Sequence, residues 1–226
     1  MRGIAGGAAV AVSALALGVV LLGVPTLVLQ LPGVTAGLVS RYYDPSSGSL
    51  PLPTALRTAE QVRAYTTDAA ARPLPAEVDG RPGFDEAAAS HLRDVRRVLE
   101  GARALTLASA ALLAGLLAFA LPARKYRGIA LALRAGSIGT LTLAVLATAW
   151  AASDFEGFFT AFHGLFFSAG TWTFPTGTLL IELFPEPLWA TLGALWAGGV
   201  LLGAALALVA AHGLARANRG QGVQEV

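Results

Sequence analysis

Few residues of this chain can move a proton near neutral pH. It has three histidines, His91, His163 and His212, and no cysteine. Disulfides, thiolate metal sites and a cysteine nucleophile are therefore excluded, and chemistry falls to His, Ser, Thr, Tyr or carboxylates. An imidazole is the usual general base at this pH. His91 stands in FDEAAASHLRDVRRVL (Phe84 to Leu99), where Asp94, three residues on, could orient the ring through its second nitrogen or pair in solvent with Arg97 or Arg93. His163 stands in DFEGFFTAFHGLFF (Asp154 to Phe167), with Glu156 and Thr160 on the same flank of a helix. Two histidines without HExxH-like spacing make no metal case, and no GxSxG elbow is present. His212, near the end of the last apolar run, reads as a residue that snorkels or meets a helix C-terminus. It is left out of the site.

The segment carrying His163 sets the terms for the rest. Asp154 is a good N-cap, and Phe155, Phe158, Phe159, Phe162 and Phe166 fall on one helical face at i, i+3, i+4, i+7 and i+11. Only about 13 residues separate Asp154 from the break at Ser168-Ala169-Gly170, whereas a spanning helix needs roughly 20. The stretch 153–187 is thus expected to be interfacial or re-entrant. Trp172 and Trp189 suit an aromatic belt at a membrane surface, and Trp196 suits packing.

The elements that would hold these residues are apolar throughout. With 55% hydrophobic and 13% charged residues, the chain is far from the roughly 25% charged composition of a soluble domain. Four runs are long enough to span: 3–31, which exceeds a signal-peptide core and reads as an anchor, then 102–121, 128–152 and 188–214. The basic loop Arg124-Lys125-Tyr126-Arg127, with Arg216 and Arg219 after the fourth run, puts those ends and both termini on the cytoplasmic side. Loops 33–101 and 153–187 then face out. The net charge of +2 is topological information and no nucleic-acid footprint. Arg134, about six residues into the third run, is expected to snorkel to the headgroups.

In the first outer loop the sequence predicts a turn-rich opening from Tyr42 to Gly48, a helix capped by Thr54 and running to about Ala70, a Pro/Gly-rich link from Arg72 to Gly83, and a second helix capped by Asp85. On that second helix Ala88, Leu92, Val95 and Leu99 form the apolar face, with His91 beside them. If His91 and His163 share one site, the helix should break or bend at Gly101. About 11 residues of straight helix from His91 to Ala102 would lift the imidazole about 16 Å above the membrane core. Desolvation should lower the pKa of His163, and Asp94 should raise that of His91.

The pairing of FDEAAASHLRDVRRVL with FFTAFHGLFFSAGTWTFPTGTLLIELFPEPLW (Phe158 to Trp189), on a four-helix frame, resembles the lipoprotein intramolecular transacylase (Lit) family of bacterial membrane proteins. The resemblance implies an all-α integral membrane protein with a small, mostly helical extracytoplasmic cap, and His91 and His163 as the catalytic pair. It implies an acyltransferase that moves the sn-2 acyl chain of a diacylglyceryl-modified lipoprotein onto the α-amino group of the same N-terminal cysteine, giving a lyso-form lipoprotein. Its partners are then the lipoprotein substrate and membrane lipids, with no cofactor. Two other readings stand beside it: a non-enzymatic lipid-binding or scaffold protein whose histidines are packed, and a phospholipid esterase using the same pair with water as acceptor.

Overall fold

The computed structural model describes residues 2–46, 50–68, 70 and 72–221. Ser47 and Gly48 of the turn-rich opening lie outside the described residues, as do the side chains of Arg2 and Arg219. The described chain is mostly helical: α1 (Arg2–Leu29), α2 (Val34–Tyr42), α3 (Leu52–Thr67), the hairpin β1 (Glu77–Val78) and β2 (Arg81–Pro82), α4 (Glu86–Ala120), α5 (Tyr126–Ser153), α6 (Phe155–Phe166), α7 (Leu179–Leu183) and α8 (Glu186–Gln221). Helices α1, α4, α5 and α8 are long and apolar enough to cross a membrane. Two compact units divide the chain.

One unit comprises Met1–Thr26, Arg103–Ala149 and Trp196–Val226. Large apolar side chains such as Leu107, Phe119, Leu146, Leu202 and Val209 are exposed on it, as a surface solvated by lipid tails requires. Without a hydrophobic driving force between helices in lipid, close backbone approach and small residues do the packing. A Cβ on Gly23 of α1 would lie 1.9 Å from Thr106 Oγ1 of α4, and one on Gly199 of α8 would lie 2.9 Å from the Pro25 ring. Pro25 lacks the N–H that would serve a carbonyl one turn back in α1. Beside it, the Trp196 indole donates to the Leu22 carbonyl (3.1 Å) and to Thr26 Oγ1 (3.2 Å), the packing role expected of that tryptophan.

The other unit, Leu27–Ala102 and Trp150–Leu195, carries both candidate histidines. Its core gathers residues from several elements, among them Val39, Ala55, Ala59, Leu92, Leu183 and Leu188. The Tyr43 hydroxyl closes the loop after α2 by exchanging hydrogen bonds with both the carbonyl and the N–H of Leu50, each 2.8 Å. Arg96 of α4 lays its guanidinium over the Tyr65 ring of α3, 4.3 Å from the centroid, and donates to the Tyr65 carbonyl. These contacts tie α3 to the helix that carries His91.

Several local expectations change. Helix α3 begins at Leu52 after Pro51, with proline in the first turn and no side-chain cap. Proline suits that position because the first N–H groups have no partner inside the helix. Thr54 is therefore not the cap, and α3 ends at Thr67 rather than near Ala70. The 72–83 link contains the hairpin, with Val78 opposite Arg81. Asp79 and Gly80 take positive φ (55° and 75°), as a two-residue turn matching the twist of its strands demands. Finally, the helix capped by Asp85 and the second spanning run are one element. Asp85 Oδ1 accepts from the Ala88 N–H at 2.8 Å, and α4 runs from Glu86 through Gly101 to Ala120 without interruption.

Candidate functional site

His163 is placed by α6. The cap predicted from Asp154 forms, its Oδ1 accepting from the Gly157 N–H at 2.9 Å, and the helix ends after 12 residues. Aromatic pairs run down it at i, i+4: Phe155 with Phe159 tilted, Phe158 with Phe162 stacked, and Phe162 with Phe166 edge-on. No residue of α6 is buried, and Phe162 and Phe166 are about half exposed. His163 Nδ1 lies 2.8 Å from the carbonyl oxygen of Phe159, one turn back. A carbonyl only accepts, so Nδ1 carries the proton and the neutral ring keeps its lone pair on Nε2.

His91 sits on the part of α4 that precedes the apolar run from Ala102, and it is 8% exposed. Its ring centroid is 6.3 Å from that of His163, with 28° between the planes. Phe167 packs against it edge-on at 4.9 Å and Phe174 at 5.6 Å. Around His163 are Phe159 at 3.9 Å and Trp172 at 4.7 Å. His91 Nδ1 is buried and has no hydrogen-bond partner among the described residues.

The electrostatics follow from this aromatic surround. Burial pushes His91 down from 6.5 to about 4; the neighbouring His163 pushes the same way, and Asp94 opposes with the smallest effect. Burial also lowers His163, against a smaller upward pull from its hydrogen bond to Phe159. The expected rise for His91 is overturned. Asp94 accepts from Arg97 at 2.8 Å, and desolvation of a ring with no compensating bond outweighs a carboxylate turned to solvent. Both imidazoles are therefore neutral at pH 7.

The structure brings together His91, His163 and Trp172. It does not bring Asp94 to His91 by a hydrogen bond, and Glu156 and Thr160 are exposed while the hydrogen bond of His163 goes to Phe159. Phe159, Phe167 and Phe174 complete the surround. Phe159 belongs to the apolar stripe at whose edge His163 stands, and Phe167 is one turn beyond His163, while Phe174 has no signal in the sequence. Among the described residues, no group of three His, Cys, Asp or Glu could hold a metal ion.

A chain with four helices able to span a membrane and two neutral imidazoles facing each other in an aromatic surround is an integral membrane protein with a candidate acid–base site. The profile of one family, lipoprotein intramolecular transacylase Lit, matches residues 39–189, which include both histidines. The protein belongs to that family. Among solved structures, the membrane integral lipoprotein intramolecular transacylase Lit from Bacillus cereus matches with a TM-score of 0.79 at 17% identity, over 96% of this chain and 99% of that one. Variants of the same Bacillus cereus protein with a histidine replaced by arginine or by alanine also match at 0.79 and 17% identity, over 97% and 96% of this chain and 96% and 97% of theirs. At that identity the likeness shows the fold. No curated protein matches the sequence.

Proposed function

We propose that this protein transfers the sn-2 acyl chain of a diacylglyceryl-modified lipoprotein to the α-amino group of the same N-terminal cysteine, at a site on the extracytoplasmic face with both termini inside. The observation that carries the reading is the His91–His163 pair, rings 6.3 Å apart, with the proton of His163 committed to Phe159. The substrate amine enters neutral and attacks the ester carbonyl. As the C–N bond forms, His163 Nε2 accepts a proton from the nitrogen; as the ester C–O bond breaks, it returns that proton to the departing glyceryl oxygen. His91, neutral, donates its N–H to the oxyanion in the manner of an uncharged electrophile. Amine and ester belong to one molecule, so holding it folded supplies effective molarities of roughly 10⁵ M and above. The exposed Phe162 and Phe166 receive acyl chains.

The test is mass spectrometry of the N-terminal peptide of a model lipoprotein co-expressed with this protein. Wild type should give N-acyl lyso-form, and His163→Asn should leave the diacyl form with a free amine while the variant still inserts. Release of free fatty acid with no N-acylation would show hydrolysis, and full N-acylation by His163→Asn would end the assignment of the base.

A further inference from the structure

Arg134 takes no part in the site above, yet it lines a cavity. At the end of the bundle that carries the basic loop, Arg127, Ala130, Leu131 and Arg134 of α5 with Ala215 of α8 line a half-open cavity of about 170 Å³. All five belong to the membrane-spanning unit. The two arginines are seven residues apart, two helical turns and roughly 10 Å along the axis, so they share one face of α5. Their long side chains can converge from above and below on one group. Among the described residues neither forms a salt bridge and no acidic residue lines the cavity. The rest of the lining is apolar, with Ala130 buried and Leu131 47% exposed.

We propose that this cavity binds the phosphate of an anionic phospholipid. Guanidinium matches phosphate oxygens through paired N–H donors. The depth of α5 and the apolar wall suit the glycerol backbone and the start of the acyl chains, and basic cavities between spanning helices are where such headgroups are held. A free phosphate would be met by the same guanidinium pair but would leave the apolar wall unused. The lipid is distinct from the acyl donor, because its recognition is by phosphate and at the end of α5 opposite Ser153.

The experiment uses the full chain in a neutral detergent and reads thermal unfolding while phosphatidylglycerol, phosphatidylcholine or inorganic phosphate is added. Phosphatidylglycerol should raise the midpoint, and the concentration for half the effect should rise about fivefold in Arg127→Gln and in Arg134→Gln. Lys125→Gln removes the same charge from the basic loop but not from the cavity lining, and it should keep the wild-type response. An equal response to phosphatidylcholine, reproduction of the effect by inorganic phosphate, or an equal loss in Lys125→Gln would each overturn the proposal. If Arg134→Gln does not fold, Arg127→Gln against Lys125→Gln decides it.

Discussion

Removing the titration of His91 should flatten the acid side of the protein's stability curve. With a folded pKa of about 4 against 6.5, the unfolded chain binds more protons than the folded one throughout that interval. Stability is therefore complete above pH 6.5, falls as pH falls toward 4, and levels below it. From these two values the loss between pH 7.5 and pH 5 is about 2 kcal/mol. In a chain of 226 residues that is a drop of about 4 to 8 °C in Tm. His91→Phe keeps a flat ring for Phe167 and Phe174 to pack against and cannot titrate. Intrinsic tryptophan fluorescence during heating in detergent, at half-unit steps from pH 7.5 to 5, should show the wild type losing those degrees relative to the variant. Every other titrating group is common to both proteins, so the difference between the curves isolates this ring. Parallel curves would refute the claim that burial keeps His91 uncharged.

Asp94→Asn should lower acyl transfer less than about tenfold and stability by under about 1 kcal/mol, because its carboxylate meets an exposed Arg97 rather than the imidazole. A time course of the lipoprotein conversion checks this, and a loss as deep as that of His163→Asn would mean Asp94 orients the ring after all. Gly23→Ala should lower Tm measurably, by roughly 1 to 3 kcal/mol of overpacking, since Thr106 is 3% exposed and has nowhere to move. Adding Thr106→Ala should restore only part of the loss, because it removes the two outer atoms but keeps the Cβ that lies 2.9 Å away, and an unchanged Tm in Gly23→Ala would show that α1 and α4 are not so close.

The spanning helices and the caps at Asp85 and Asp154 were legible because each rests on a signal contained in a short window: hydropathy for the former, a side-chain oxygen within reach of a free N–H for the latter. The hairpin was not read from the Pro/Gly-rich link: Asp79-Gly80 is a turn dipeptide, but two-residue strands leave no alternation to mark it. Helix α2 was missed for a related reason. It is nine residues long and starts after Gly33 in a left-handed conformation, so it has neither length nor a polar cap. At the site, the pairing of His91 with His163 followed from two motifs, while Phe167 and Phe174 come to His91 from a segment with no helical register to it. Asp94 stands midway between His91 and Arg97, and spacing alone does not choose. The longer cationic chain reaches it in solvent, and the imidazole turns into the aromatic surround.

The hydrogen bond from His163 to Phe159 has a consequence for how the proposed site is constituted. In hydrolases built on a serine, a third side chain from elsewhere in the fold fixes the tautomer of the histidine. Here the backbone of the same helix does it, so orientation of the proposed base is a by-product of α6 being helical and requires no anion. Beside His91, which is likewise uncharged, it leaves a resting centre with no formal charge to dehydrate. Such a centre favours a substrate amine that has already shed its proton, so the alkaline rise in rate should track the amine's own ionisation, near its ordinary value of about 7.7 to 8.0, rather than that of any group in the protein.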